Sequence, residues 1–241
     1  TTHEDSAEPI TELDLLIDGV FNVERFGQLH RDFTAFDSDS KSGLVKRIAK
    51  PHQYFAVTKA VGSTIEAVRS DGRIGVVWHT QGSGKSMEME LYTAKVMRHE
   101  RLANPTVVVI TDRTELDEQI EKVFTGVNEQ IYRTTSGADL ISTLNASEEW
   151  LICSLVHKFR AADNDNEDDA ATAEFIKELQ ATVPQDFKAK GNIFVFVDEA
   201  HRTQSGKMHT AMNALLPEAM FIGFTGTPLL KADKATSIET F

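Results

Sequence analysis

A chain of 241 residues, 41% apolar and 26% charged, has the composition of a folded globular protein and the length for one large α/β domain with a small appendage. No run approaches the roughly 18 apolar residues of a membrane span, and Thr1 to Pro9 is polar and acidic rather than a signal core, which points to a cytoplasmic protein with no membrane partner. The net charge of −12 argues against a protein that coats nucleic acid nonspecifically, since that binding needs clustered Lys and Arg, so any nucleic-acid contact is expected to be local.

In chain order, Ile10 to Phe26 reads as an amphipathic stretch, and the Ser/Asp-rich segment from Asp37 to Gly43 reads as a loop or linker. Residues 1–45 are therefore expected to be an appendage, with the main domain over 46–241. From Arg73 onward short apolar runs alternate with helical stretches: Ile74 to Trp78, Thr106 to Ile110, Trp150 to Cys153, Asn192 to Val197, and Met220 to Phe224. Continuous apolar strands separated by helices predict a parallel sheet covered on both faces, hence a doubly wound α/β fold. Cys153 is the single cysteine, which excludes an intrachain disulfide; in its apolar run it reads as a core residue rather than a catalytic thiol. The acidic run Asp163 to Asp169 reads as a solvated loop.

Chemistry concentrates where strands end. After the first strand comes His79-Thr-Gln-Gly-Ser-Gly-Lys-Ser86, then a helical stretch from Met87 to about Arg98. A glycine-bearing turn between strand and helix lets backbone N–H groups converge on phosphates at a favourable helix dipole. Thr80, Gly82, Ser83 and Gly84 form that turn, Lys85 would reach the β/γ-phosphates, and Ser86 would enter a magnesium shell, so ATP and Mg2+ are the expected ligands. His79 replaces the usual first glycine, and taken alone the segment also suits a plain helix start.

The run from Asn192 to Val197 leads into Asp198-Glu-Ala-His201. Two adjacent carboxylates at a strand's C-terminal edge, where open α/β sheets bind ligands, suit two tasks. Asp198 is expected to hold magnesium and Glu199 to polarise the water that attacks the γ-phosphate. In Gly223-Phe-Thr-Gly-Thr-Pro228, the hydroxyls of Thr225 and Thr227 could bond His201 or a water near the γ-phosphate and so couple nucleotide state to a neighbouring domain. A simple turn held by Gly226 and Pro228 explains that segment equally well.

These three segments together resemble motifs I, II and III of superfamily 2 helicases. More narrowly, Lys50-Pro-His-Gln-Tyr-Phe-Ala-Val57, Trp78 to Ser86, Thr111-Asp-Arg-Thr-Glu-Leu-Asp-Glu-Gln119 and Asp198 to Ser205 resemble the motor subunit of type I restriction-modification enzymes, over about residue 30 to the end. The resemblance implies a RecA-like motor domain for ATP-dependent translocation on double-stranded DNA before cleavage. It also implies methylation and specificity subunits as partners. It makes His79 the expected residue, puts Gln53 at the adenine, and places Arg113, beside Asp112, against the DNA backbone; Ser154 to Phe159 resembles a later DNA-facing segment. A nuclease site of the family's type is not recognisable, so residues 1–45 are expected to be the tail of a nuclease domain. With the second RecA-like half and its arginine expected elsewhere, this portion should bind ATP but hydrolyse it poorly. The competing readings are another superfamily 2 helicase or remodeller, and a nucleotide-binding interaction module without turnover; the Asp198–Glu199 pair argues against the latter.

Overall fold

A computed structural model describes residues 11–39, 43–80, 82–102, 105–111, 131–146, 148–155, 177, 180–181, 183–184, 187, 192–198, 212–213 and 216–226. At the N-terminal end, α1 (Glu12–Asp14) continues into a π-helical turn, Leu15–Val20, followed by α2 (Val23–Asp32). Asn22 caps α2 by accepting the Arg25 N–H at 3.2 Å, the usual remedy for the unpaired N–H groups of a first turn. None of the residues of α2 is buried.

Asp37 to Asp39 and Gly43 belong to strands, which corrects the expectation of a loop there. β1 (Thr34–Asp39) and β2 (Gly43–Ile48) form an antiparallel hairpin whose register runs from Thr34 opposite Ile48 to Asp39 opposite Gly43. Phe33 and Ala35 are buried while Phe36 is exposed, so alternation overrides the turn-like composition of the tip. Gly43 takes a positive φ of 72° where the second strand starts.

The main body begins with α3 (Pro51–Ala67), whose first position suits proline because its missing N–H would be unpaired there anyway. It continues through β3 (Arg73–Trp78), α4 (Lys85–Met97), β4 (Thr106–Thr111), β5 (Tyr132–Thr134), α5 (Gly137–Ala146), β6 (Leu151–Leu155), β7 (Ile193–Asp198) and β8 (Met220–Thr225). The six strands pair in parallel in the order β3-β8-β7-β4-β6-β5. The five expected strands are present within one or two residues at either end. The three-residue β5 was not anticipated, because Tyr-Arg-Thr is too short and polar to carry a pattern.

Alternate strand residues feed two cores. Val107, Val109, Phe194, Phe196, Ile222 and Phe224 pack with Val57, Ala60, Met89, Tyr92 and Val96 of α3 and α4. Val108, Ile110, Val195, Val197 and Phe221 pack on the other side with Leu140, Ile141 and Leu144 of α5, and with Met212 and Leu216. The sheet is therefore covered on both faces, as doubly wound α/β folds require, and Cys153 is buried in the first core.

Two polar links tie helices together. The Thr64 hydroxyl donates to the Ala60 carbonyl at 2.7 Å, so the buried Tyr92 hydroxyl donates its proton to Thr64 Oγ1. Burial raises the Tyr92 phenol well above its ordinary range. Lys95 on α4 reaches Asp32 at the end of α2 at 3.0 Å and lies 4.8 Å from the centre of the Phe33 ring. No described helix is long and apolar enough to cross a membrane.

Candidate functional site

In a parallel sheet all strands end on one edge, so the C-terminal ends of β3, β7 and β8 are neighbours by topology. Trp78 pairs with Thr225 and Asp198 with Phe224, which aligns the three C-terminal ends side by side. The His79 N–H donates to the Thr225 carbonyl at 3.1 Å and extends the β3–β8 pairing one residue into the loop. Asp198 and Thr225 are both buried at this edge.

The loop from His79 to Gly84 is shaped by its glycines. Gly82 and Gly84 have φ of 80° and 93°, and the Ser83 N–H donates to the Thr80 carbonyl at 3.1 Å to close a turn. A Cβ at Gly84 would stand 2.5 Å from Gln53 Nε2, so both backbone conformation and space demand glycine there. α4 then opens at Lys85, and the Gly84 carbonyl accepts the Glu88 N–H at 3.2 Å. Lys85 folds back with Nζ 3.4 Å from the His79 carbonyl, while Ser86 is half-buried in the first turn. Ser83 Oγ is buried with no partner. Exposed Thr80, the positive-φ glycines, the ammonium of Lys85 and that unpaired hydroxyl fit a phosphate-bearing ligand at a helix N-terminus.

Gln53 is buried beneath the loop and braces it. Its Nε2 donates to the Ser83 and Gly84 carbonyls at 3.2 Å each, and its Oε1 accepts the Lys50 N–H at 2.8 Å. Next to it, His52 Nε2 lies 3.1 Å from the Ser83 carbonyl and 3.9 Å from Glu88 Oε1. His79 Nδ1 hydrogen-bonds the same Glu88 oxygen at 2.5 Å, and the two imidazoles meet edge to face at 5.0 Å. Desolvation raises the Glu88 pKa, and the His79 hydrogen bond and the charges of His79, His52 and Lys85 pull it back.

His52 and Glu88 were not singled out from the sequence. A signal existed for Glu88, since it stands one and two helical turns before Tyr92 and Val96 and so shares their buried face, all three being 1% exposed or less. Of the expected site residues, Gln53, Thr80, Gly82, Ser83, Gly84, Lys85, Ser86, Asp198 and Thr225 are brought to this edge or its underside. Arg113, Glu199, His201 and Thr227 lie outside the described residues, as do Asp112, the acidic run and the stretch after Leu155.

Comparison with known proteins places this geometry in a family. Residues 52–241 match the family model described as SWI2/SNF2 ATPase. The chain is 36% identical over 244 residues to the Type I restriction enzyme HindI endonuclease subunit of Haemophilus influenzae, covering 93% of this chain and 22% of that protein. It is 32% identical over 241 residues to the Putative type I restriction enzyme MjaIXP endonuclease subunit of Methanocaldococcus jannaschii, covering 98% of this chain and 21% of the relative. The chain thus spans about a fifth of the length of these curated relatives. Among solved structures, the Sulfolobus solfataricus SWI2/SNF2 ATPase core in complex with dsDNA superposes with a TM-score of 0.51 at 15% identity, over 78% of this chain and 34% of that one. The fold is that of a RecA-like superfamily 2 motor domain, which binds ATP and Mg2+ in general. The chain belongs to the SWI2/SNF2 ATPase family and is a superfamily 2 helicase-like ATPase domain related to type I restriction-enzyme endonuclease subunits.

Proposed function

We propose that this chain is the first motor domain of a type I restriction endonuclease subunit, using ATP to drive translocation along double-stranded DNA before cleavage. The observation that carries the reading is the sheet edge where the strand ends at Trp78, Asp198 and Thr225 lie side by side and the glycine-rich loop, with its unpaired Ser83 hydroxyl, follows the first of them.

In this reading the loop N–H groups and Lys85 hold the β- and γ-phosphates, while Ser86 and Asp198 hold Mg2+. When bound, magnesium neutralises phosphate charge that builds up during hydrolysis. Glu199, which follows Asp198 directly, orients the attacking water, and its carboxylate takes that role because Asp198 is committed to the metal. Gln53 already spends Nε2 on two loop carbonyls and one Oε1 lone pair on Lys50. The resemblance assigns Gln53 to adenine, and its one uncommitted acceptor is the second Oε1 lone pair, which would take a hydrogen bond from the exocyclic amine. Thr225, Thr227 and His201 carry nucleotide state across the edge, for which the His79–Thr225 backbone bond supplies a direct route from the loop to β8. Arg113, after β4, contacts the DNA backbone; the restriction system's methylation and specificity subunits supply site recognition. An interior cellular location follows from that role.

Lys85→Ala is expected to lower Mg-ATP affinity at least a hundredfold by calorimetry, because no other described lysine or arginine is placed in the loop. Wild-type affinity in a folded variant would remove the basis of the reading.

A further inference from the structure

Beneath the phosphate loop lies a group of side chains that nucleotide binding does not use. His52 comes from the first turn of α3, His79 from the loop directly after β3 and Glu88 from the first turn of α4; one ligand-capable atom from each falls within a 4.8 Å cluster. Glu88 is 1% exposed, and while its Oε1 is bonded to His79, its Oε2 is buried with no partner. A carboxylate oxygen removed from water without a donor is costly, and a cation beside it would restore the lost interaction.

We propose that His52, His79 and Glu88 form a binding site for a divalent transition-metal ion, with Zn2+ the best match, distinct from the magnesium of the nucleotide. Two imidazoles and one carboxylate make the donor set of an open zinc site, with a fourth position left for water. Magnesium prefers an all-oxygen shell and does not select such a pair of imidazoles. Bond lengths of about 2.0–2.2 Å put neighbouring ligands of a tetrahedral ion roughly 3.3 Å apart. His79 Nδ1 and Glu88 Oε1, now at 2.5 Å, must therefore part, and His52 Nε2, at 3.9 Å from that oxygen, must close in. The two separations would change by roughly 0.8 and 0.6 Å.

The protons balance simply. The one between His79 Nδ1 and Glu88 gives way to the ion, so that His79 binds as a neutral imidazole with its single proton on Nε2. The His52 proton now on Nε2, facing the Ser83 carbonyl, is replaced by one on Nδ1, so that Nε2 offers its lone pair. The occupied site joins α3, the loop directly after β3 and α4, and detaches His52 from the loop carbonyl it now holds.

The inference does not depend on nucleotide, so its test is run without any. Titration of the metal-free chain with Zn2+ is expected to show one equivalent bound, read by calorimetry. Co2+ should give the visible absorption of a four- or five-coordinate ion, and the unfolding temperature should rise with free Zn2+. His79→Ala and Glu88→Gln should each weaken Zn2+ binding at least about tenfold, the lower scale on which ligand shells matter. His52→Gln, on the half-exposed side, serves where a buried change prevents folding. The chain has eight histidines, so His99→Ala is the control and should leave the affinity unchanged. Failure of the wild-type chain to bind Zn2+, or wild-type affinity in folded His79→Ala, Glu88→Gln or His52→Gln, overturns the proposal while leaving the ATP reading as it stands.

Discussion

The N-terminal helical stretch and the two central strands β7 and β8 are both rich in large apolar side chains, yet the fold treats them oppositely. Every residue of β7 and β8 is buried, whereas Val23 is 89% exposed and Leu13, Ile17, Phe21 and Phe26 are all at least half exposed. The strands bury both faces because helices cover each side of a parallel sheet. Beyond the half-buried Leu29, which packs against the first core, the N-terminal helices meet the domain through a few polar and cationic contacts: Asp32 with Lys95, the Tyr54 hydroxyl donating to Gln28 at 2.6 Å, and the Arg25 guanidinium near the rings of Tyr54 and Phe55. Apolar content therefore does not measure stabilisation. Removal from water does, at about 25 cal/mol per Å2.

Substitutions can break or sharpen that contrast. Phe196→Ala in β7 empties a fully buried site against Tyr92 and Phe224 and is expected to cost about 3–5 kcal/mol in equilibrium denaturation. A cost under about 1 kcal/mol would mean that the core is far looser than its contacts suggest. Gly84→Ala comes next, at about 1–3 kcal/mol, since it combines a left-handed backbone with a Cβ 2.5 Å from Gln53 Nε2. Adding Gln53→Ala should relieve the collision but not the backbone strain, so the double variant recovers part of the loss; full recovery would show that φ is irrelevant at this position.

Asp32→Asn tests the join between the two regions and should cost no more than about 1 kcal/mol. The Arg31 hydrogen bond, with Lys95 adding to it, holds the Asp32 carboxylate below its ordinary pKa. A carboxylate depressed in the folded state stabilises above its unfolded pKa, about 3.9, and loses that contribution as pH falls through the lower folded value. The difference between wild type and Asp32→Asn should thus be steady near neutrality and vanish in strong acid. Phe21→Ser should be the smallest effect, within about 0.5 kcal/mol. A loss comparable to that of Phe196→Ala would erase the contrast altogether.

Legibility in the sequence obeys the same physics. Strands buried on both faces announce themselves as unbroken apolar runs, so Thr106 to Ile110, Asn192 to Val197 and Met220 to Phe224 were legible almost to the residue. The loop around Gly82 and Gly84 was legible because its chemistry demands those residues at that spacing. The β1–β2 hairpin was hidden by the Asp and Ser residues at its tip. Gln53 was read for a ligand, but its bonds to Ser83 and Gly84, thirty residues away, are tertiary and leave no local trace. Glu88 was passed over because a charge in a first helical turn ordinarily faces water, and its helical phase with Tyr92 and Val96 went unused.

Strand order also sets a timetable for biosynthesis. β3 has β8 as its neighbour in the six-stranded sheet, and Trp78 waits for Thr225 while the intervening chain is made. At about 5–20 residues per second that delay is on the order of ten seconds. Among the described strands β3 has no neighbour in the sheet until β8 emerges, and the His79 N–H that extends the pairing into the loop has no Thr225 carbonyl to meet. Among the described strands of this sheet, the first translated is thus completed by β8, and nascent chains ending before Met220 should lack the finished loop.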